Sequence, residues 1–406
     1  MDIRPILSTL LRHKIAATLI VLEIALSCAI ICNAVFLISS RVTRIGMPSG
    51  VAENELVSIR LTGIGTDQNA IAATREDLAV LRGVPGVVDA ASTNEVPFGQ
   101  SSWNGSVMLT PDQKEQTLNA TMYMGTESLR STLGTRLVAG RDFRADEYVD
   151  FEPGKGKSIE PSIVIITRAM AVKLFPGKNG VGQVIYFGDE KPVTVVGVVD
   201  HLVRPSIFDG DETADYSMLL PLRVDYTVGG YYLLRTRPGE AQRIANDAAA
   251  ALERHDPNRV ILDKLTMTEI RAKFFRQDRS MAWLLIAVCI ALLVVTALGI
   301  VGLASFWVQQ RTKQIGVRRA LGATRGQVLR YFQTENFLLA TLGIAIGMLL
   351  AYGINQLLMS HYELPRLPAL YLPVGAVALW LLGQLSVFGP ARRAAAVPPA
   401  VATRSI

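Results

Sequence analysis

Long apolar runs divide the chain into membrane-like and globular stretches. Four runs of 20 to 28 residues, at 15–38, 281–308, 337–358 and 369–388, are almost free of charged side chains. About 20 apolar residues are needed for an α-helix to cross the hydrocarbon core of a bilayer. The pattern therefore predicts four transmembrane helices.

Residues 39–280, between the first two runs, have the shorter periodicities of a globular domain. Strand patterns such as Leu56–Leu61 and Val193–Val199 alternate with helix patterns such as Ile71–Leu81 and Gly239–Glu253. Gly188-Asp189-Glu190 predicts a hairpin turn. A block of roughly 240 residues can bury its own core, so we predict an α+β domain with two subdomains. The charged residues 266–280 predict a helical stalk that leads into the second run.

Composition excludes several classes of protein. Hydrophobic residues make up 50% of the 406 residues, charged residues 19%, and the mean hydropathy is +0.30. These values exclude a purely soluble protein and a disordered chain. The cysteines Cys28, Cys32 and Cys289 all lie in the apolar runs, so the globular block contains no disulfide.

The distribution of charge predicts the orientation in the membrane. Segments 1–14, 309–336 and 389–406 together carry 12 basic and two acidic residues, whereas the rest of the chain carries 29 basic and 33 acidic residues. Lys and Arg concentrate in cytoplasmic loops. We therefore expect both termini in the cytoplasm and an extracytoplasmic α+β domain; in a cell with two membranes, this is an inner-membrane protein with a periplasmic domain. The loop at 359–368 is then extracytoplasmic as well, and the basic charge does not indicate nucleic-acid binding.

The first 14 residues predict an interfacial anchor. Ile3 and Leu7 alternate with Arg4 and Arg12 in a short amphipathic segment that we expect to contact membrane lipids. The apolar run that follows has 24 residues, longer than the roughly 7–15 apolar residues of a signal peptide. We expect an uncleaved anchor.

Residues 309–336, here called the coupling segment, predict two helical pieces on the cytoplasmic side. Gly322 can end the first piece, and Thr324 with Gln327 forms a capping box for the second. An apolar stripe at helical spacing suggests a common face: Val317, Leu321, Val328 and Phe332. A basic loop that only fixes topology and a docking surface for a cytoplasmic partner both remain open.

Polar and small residues inside the runs predict contacts between helices. Glu23 and Asn33 lie in the first run, where a charge is costly, and we expect Glu23 to be protonated or hydrogen bonded in the bundle. Small residues allow helices to approach closely. The candidate packing positions are Gly299, Gly302, Gly343 and Gly347.

Two motifs that could suggest catalysis are rejected. Gly156-Lys157-Ser158 resembles the end of a phosphate-binding loop, but position 151 is Phe151 where that loop needs glycine. Asp200-His201 is an isolated pair after a strand and predicts a loop. We find no metal-binding spacing and expect no catalytic residues, no metal and no bound cofactor.

Several stretches closely resemble the MacB/FtsX-type ABC transporter permeases. Residues 311–324, RTKQIGVRRALGAT, resemble the signature that follows the second span in that family. Residues 140–143 (GRDF) and 195–199 (VVGVV) resemble its periplasmic core domain, and residues 390–395 (PARRAA) resemble its terminal segment. The resemblance covers nearly the whole chain in the same order.

The resemblance implies a role in transport. Such permeases form dimers, here a homodimer or a heterodimer, and each pairs with an ABC ATPase that binds ATP on the cytoplasmic face. Only about 14 residues precede the first span, so we expect the ATPase to be a separate chain. The residues implied in coupling are Arg311, Lys313, Ile315, Gly316, Arg318, Arg319, Leu321 and Gly322.

Within the family, three roles remain open. MacB-like members drive efflux of peptides, antibiotics or other periplasmic substrates through a membrane-fusion adaptor and an outer-membrane duct. LolC/LolE-like members release lipoproteins, and FtsX-like members signal to cell-envelope enzymes. A membrane-bound enzyme is disfavoured because no catalytic motif accompanies the spans.

Overall fold

The structure is a computed structural model that describes residues 14–63, 69–151, 161–187, 191–207, 212–362 and 367–398. The predicted amphipathic segment up to residue 13, the Gly156-Lys157-Ser158 loop and the Gly188-Asp189-Glu190 turn lie outside these residues. The chain divides into two compact units. The helical unit comprises Met1–Ile45 and Gln277–Ile406, and the α/β unit comprises Gly46–Arg276.

The helices of the described residues are, in chain order, α1 (Lys14–Ile45), α2 (Ala70–Arg82), α3 (Leu129–Leu133), α4 (Arg168–Leu174), α5 (Ala241–His255), α6 (Met267–Phe274), α7 (Arg276–Gln310), α8 (Thr312–Ala320), α9 (Arg325–Tyr362) and α10 (Tyr371–Ala395). The strands are β1 (Leu56–Gly63), β2 (Val87–Thr93), β3 (Asn104–Val107), β4 (Leu118–Met124), β5 (Leu137–Gly140), β6 (Val149–Asp150), β7 (Ile163–Thr167), β8 (Val184–Ile185), β9 (Val193–Val199), β10 (Ser217–Leu220), β11 (Leu222–Arg223), β12 (Tyr231–Thr236) and β13 (Arg259–Thr266).

Helices α1, α7, α9 and α10 are long and apolar enough to cross a membrane. This confirms the prediction of four transmembrane helices with an accompanying α/β domain. The helices are longer than the apolar runs that predicted them. In particular, α9 begins at Arg325 and continues through residue 337 without a break, so the second piece of the coupling segment and the third span are one helix.

The first sheet of the α/β unit is antiparallel throughout, with strand order β13-β1-β12-β2. Apolar residues recur along α2 and α5 at helical spacing, and these faces pack on the sheet. Leu81 and Leu252, from the two helices, are fully buried in one core with Tyr232 of β12. This layer forms the first of the two predicted subdomains.

The second sheet is inserted in the chain between β2 and β12. Its order is β3-β4-β10-β7-β9-β5, it mixes parallel and antiparallel pairs, and β8 pairs with β9. Met170 and Leu174 of α4 are buried against this sheet in a separate core. Strands β6 and β11 form a separate two-stranded parallel sheet. The two larger sheets, each with its own core, agree with the expectation of two subdomains.

Strands β4 and β10 were not predicted, although they are neighbours in the middle of the second sheet. Six of the seven residues of β4 and all four of β10 are buried. A strand that is covered on both faces lacks the alternation of apolar and polar residues that marks a half-exposed strand. Asn119 and Ala120 further weaken the strand signal of β4 because neither residue favours β structure.

The charged segment 266–280 forms two helices instead of one continuous stalk. Thr266 Oγ1 accepts a hydrogen bond from the Glu269 N–H, and the Thr266 N–H donates to Glu269 Oε2. These two bonds form a capping box that starts α6. Phe275 interrupts the helical path between α6 and α7. Its ring is fully buried against Phe98, which explains why the break falls at this residue.

A buried polar segment after β2 joins the two sheets of the α/β unit. The Asn94 amide donates to the carbonyl of Met122, and its oxygen accepts from the backbone of Met124, so β2 is tied to β4. Glu95 is 1% exposed and accepts a hydrogen bond from the backbone N–H of Trp103. Burial raises the pKa of the Glu95 carboxyl to about 8.

In the helical unit, α9 approaches α1 closely where its side chains are smallest. A Cβ atom on Gly343 would lie 2.9 Å from the Cβ of Ile24, and one on Gly347 would lie 2.5 Å from the Cβ of Cys28. Such distances are below van der Waals contact. Both glycines therefore lie where any larger residue would separate the two helices.

We expect Gly347→Ala to destabilise the helical unit by roughly 1–3 kcal/mol, because overpacking forces side chains and backbone apart. The matched control is Gly353→Ala on the same helix, where no atom lies within 4 Å of the added Cβ. Thermal unfolding of the detergent-solubilised chain measures the difference. Equal melting temperatures for the two variants would contradict the packing.

We expect the stability of the α/β unit to fall as the pH rises from 4.5, the ordinary value for glutamate, toward about 8. Over that interval the folded protein keeps a proton on Glu95 that the unfolded chain releases. The stability that the protonated carboxyl contributes is therefore fully present at low pH and is lost as the pH rises through the folded pKa. Hydrogen-exchange protection of the β4 amides, followed across this pH range, measures the loss of stability. Glu95→Gln should flatten this profile, whereas exposed Glu115→Gln should leave it unchanged.

Candidate functional site at the coupling segment

The first helix of the coupling segment ends, and the second begins, at the residues that the sequence predicted. Gly322 has a φ of +98° and ends α8, with its N–H bonded to the carbonyl of Arg319 at 3.1 Å. At the start of α9, the Thr324 N–H donates to Gln327 Oε1 at 2.9 Å and the Gln327 N–H donates to Thr324 Oγ1 at 3.3 Å. The predicted helix end and capping box are confirmed.

Arg311 lies at the junction between α7 and α8, and its side chain is directed inward. Its Nη1 atom lies 3.1 and 2.9 Å from the two carboxylate oxygens of Glu335 on α9. The guanidinium carbon lies 5.5 Å from the centroid of the Trp307 ring. The side chains of Arg311 and Glu335 are only 9% and 2% exposed, so neither can form part of an outer contact surface.

The apolar stripe expected across both helical pieces is wrong. Val328 and Phe332 are buried, but Val317 is 48% and Leu321 84% exposed. The positive φ at Gly322 redirects the chain, so helical spacing does not carry over from α8 to α9. Ile315 takes the buried position instead, in one cluster with Val328 and Phe332.

Arg319 connects α8 to the end of α10. Its Nη1 donates to the carbonyl of Ala395 at 3.0 Å and to that of Val397 at 2.7 Å. Carbonyls at the end of a helix have no partner within the helix and carry its negative dipole end. Arg319 therefore satisfies acceptors of the fourth span and fixes the C-terminal end of α8.

The remaining coupling residues are exposed. Lys313, Val317 and Leu321 are spaced by four residues and share one face of α8. Arg318 is exposed beside them, 5.2 Å from the centroid of the Tyr331 ring. The eight predicted residues thus separate into an inward set and an outward set. The inward set is Arg311, Ile315, Gly316 and the half-buried Arg319; the outward set is Lys313, Arg318, Leu321 and Gly322.

A pocket of about 320 Å³ opens between α8 and the start of α9. Arg311, Ile315 and Arg318 line it from one side, and Tyr331 and Phe332 from the other. Its lining combines guanidinium groups with aromatic and aliphatic surface. Of the outward residues, only Arg318 reaches this pocket. The outward face itself combines the cations Lys313 and Arg318 with the exposed apolar side chain of Leu321.

Glu335 is a residue of this site that sequence reasoning missed. It was counted only as an acidic residue that offsets the basic charge. A signal was present, because Glu335 is the sole acidic residue among residues 309–336. A single carboxylate among several arginines near the membrane interface favours a specific ion pair.

The intramembrane polar residues lie on the faces of α1 that meet other helices. A Cβ atom on Gly299 would lie 2.5 Å from both Glu23 carboxylate oxygens, so this glycine makes room for the carboxylate. We find no hydrogen-bond partner for Glu23 within the described part of the chain. Asn33 donates to the carbonyl of Ala351 on α9 at 3.2 Å. Gly302 has no described atom near its missing Cβ and makes no close helix contact within this chain.

An ionic contact at the opposite end of α7 was also missed. Asp278 is 5% exposed and lies 2.8 Å from Arg41 and 3.2 Å from Arg44, both near the end of α1. Midway along the same pair of helices, the hydroxyls of Ser27 and Thr296 are 2.8 Å apart. These two polar contacts therefore join α7 to α1, one near the start of α7 and one near its middle.

In the α/β unit, His201 lies closer to Asp215 than to its neighbour Asp200, whose Oδ1 is 3.9 Å from His201 Nε2. The distance from His201 Nδ1 to Asp215 Oδ2 is 2.7 Å, and both residues line a cavity of about 610 Å³. Asp200 instead lies 3.1 Å from Arg168 and contacts Arg136. These arginines lower the pKa of the Asp200 carboxyl. Within the described residues, no three His, Cys, Asp or Glu side chains come together as a metal site.

Two family profiles together match most of the chain. The MacB-like periplasmic core domain matches residues 24–252, more than half of the sequence, and the FtsX-like permease C-terminal domain matches residues 286–399. The second match contains the whole coupling segment. The first covers α1 from residue 24 onward and the α/β unit through most of α5.

Among individual proteins, the chain is 30% identical to the macrolide export ATP-binding/permease protein MacB of Chromobacterium violaceum. That match covers 66% of this chain but only 40% of the relative, so the chain spans less than half of its length. The uncharacterized ABC transporter permease YknZ of Bacillus subtilis is 25% identical over 82% of this chain and 79% of its own.

Two solved structures are similar to part of the chain. The extracellular domain of YknZ covers 51% of this chain with a TM-score of 0.32 and 19% identity, and all of that domain is matched. The periplasmic region of MacB from Actinobacillus actinomycetemcomitans covers 55% of this chain and 94% of its own, with a TM-score of 0.34 and 12% identity.

Proposed function

This chain belongs to the family of ABC transporter permeases that combine a MacB-like periplasmic core domain with an FtsX-like permease domain, and we propose that it is the non-catalytic permease subunit of a MacB-like efflux system. A separate ABC ATPase binds and hydrolyses ATP on the cytoplasmic face. The coupling segment receives the resulting motion and passes it through the spans to the extracytoplasmic domain. The cargo class is peptides, antibiotics or other periplasmic compounds.

The observation that carries this proposal is the outward face of α8. Leu321 is 84% exposed and Val317 48% exposed in a segment that is otherwise strongly polar. Lys313 and Arg318 flank these apolar side chains. Exposed apolar residues with charged neighbours are typical of contact surfaces between proteins. The surface fits a partner that offers an apolar groove with acidic residues at its rim.

The fixation of α8 supports a mechanical role. A helix that only determined topology would need basic charge but no defined orientation. Here Arg311 is paired with α9 and Arg319 with the end of α10. A force on the outward face therefore acts on three of the spans at once, because α7 leads directly into Arg311.

Family membership supports a proposal for the assembly and the orientation. We propose a homodimer or a heterodimer of permeases, both termini in the cytoplasm, and a periplasmic adaptor and outer-membrane duct that complete the efflux route. The basic residues of segments 309–336 and 389–406 support this orientation. No path for the cargo through these spans is required.

We expect Arg318→Glu and Leu321→Asp each to weaken binding of the partner ABC ATPase by about tenfold or more, since both alter the centre of the outward face. The control is Arg330→Glu, an equal charge reversal at an exposed residue of α9. Binding to the full chain in nanodiscs and permease-dependent ATP hydrolysis measure the effect. The proposal fails if the two variants bind as the control does.

The orientation has its own test. Lys114 and Lys313 are both exposed, the first in the α/β unit and the second on α8. A membrane-impermeant maleimide applied to intact spheroplasts should label Lys114→Cys but not Lys313→Cys, and permeabilisation should make both reactive. The native cysteines are buried and give little background. Labelling of position 313 in intact spheroplasts would reverse the topology.

A further inference from the structure

The Arg311–Glu335 pair lies at the point where the chain turns from the second span into the coupling segment. Arg311 is the single residue between α7 and α8. Its backbone N–H bonds to the carbonyl of Trp307 at 3.1 Å, and its carbonyl accepts from the N–H of Ile315 at 2.9 Å. The backbone of Arg311 therefore belongs to both helices, while its side chain reaches a third.

A buried ion pair of this kind contributes little net stability. Desolvation of the two charges offsets most of their attraction. Replacing such a pair by apolar residues of similar size often leaves the stability of a protein unchanged or increases it. What a buried pair does determine is geometry, because each charge left without its partner is costly. Glu335 is 1% exposed and cannot touch a partner protein itself, so any effect it has on coupling acts through the orientation of α8.

We infer that Glu335 is a positioning residue for coupling: its bond to Arg311 holds α8 in the one orientation that presents Lys313, Arg318 and Leu321 to the ATPase. The inference rests on the proposed function and assigns a second role within the same segment. The two oxygens of Glu335 contact the same Nη1 atom, which restricts the rotation of Arg311. Trp307 lies along the guanidinium at 5.5 Å and limits its remaining freedom.

A second contact fixes the other end of α8. Arg319 is bonded to the carbonyls of Ala395 and Val397 near the other end of α8. A helix of nine residues fixed near both ends has one orientation. Without the Arg311–Glu335 pair, its N-terminal end is held by the backbone connection to α7 and the packing of Ile315, and has more rotational freedom. Loss of Glu335 should therefore release the N-terminal end of α8, where Lys313 lies, more than the C-terminal end.

The experiment uses the full chain in nanodiscs with its partner ABC ATPase. Glu335→Gln alone leaves a buried guanidinium unpaired and can impair folding. The decisive variant is therefore Arg311→Gln with Glu335→Gln, which removes both charges and leaves polar amide side chains at both positions. We expect its melting temperature to match the wild type while permease-stimulated ATP hydrolysis falls about tenfold, the change that corresponds to one 1.4 kcal/mol step. The exchanged pair, Arg311→Glu with Glu335→Arg, should recover part of the stimulation.

A matched control removes a different buried polar contact of the same spans. Ser27→Ala with Thr296→Val deletes the hydroxyl pair between α1 and α7 and leaves the coupling segment intact. This variant should stimulate hydrolysis as the wild type does. Wild-type stimulation by the double glutamine variant would overturn the inference, as would an equal loss in the control.

A distance measurement separates this inference from the proposed function. Spin labels at Lys313→Cys and Arg325→Cys report the position of α8 relative to α9 in the permease alone. The distance distribution should be narrow in the wild type and broad in the double glutamine variant. If no ATPase binds the wild type, the proposed function fails, but this measurement still decides whether the pair positions α8. An unchanged distribution would overturn the positioning role.

Discussion

The close contact between α1 and α9 is the interaction on which the helical unit depends. Lipid is as apolar as the side chains it surrounds, so burial of apolar surface does not drive helices together in a bilayer. Gly343 and Gly347 instead allow backbone approach, and the amide of Asn33 adds a hydrogen bond to the carbonyl of Ala351. Helix α10 completes the group, with Trp380 stacked on Phe337 and its indole N–H bonded to the Thr341 hydroxyl.

Helix α7 is joined to this group in a different way. Most of its apolar side chains are exposed, and its buried residues form a narrow stripe from Asp278 to Trp307. Polar contacts occur near both ends and in the middle of the helix, through Asp278, Thr296 and, just after its end, Arg311. Polar pairs determine register where apolar surface cannot. The position of this helix therefore depends on a small number of polar contacts.

The α/β unit achieves rigidity without disulfides. Its second sheet is an insertion into the first, so the two subdomains are joined at both ends of the inserted segment. Buried polar residues connect them. The Ser92 N–H donates to the Thr126 hydroxyl, and the Asn94 side chain both donates to and accepts from the backbone of β4. Satisfied buried polar groups define one arrangement because every alternative leaves a donor or acceptor unpaired.

The sequence alone determined the features that arise within one segment of chain. Four spans, the end of α8 at Gly322 and the Thr324–Gln327 cap all depend on residues a few positions apart, and each was predicted correctly. Only the tertiary structure decided which coupling residues face outward and which face inward. Arg311 and Glu335 are 24 residues apart, and Arg319 and Ala395 are 76 apart. No periodicity or cap encodes such partners, and β4 and β10 were missed for the related reason that burial on both faces is a property of the assembled sheet.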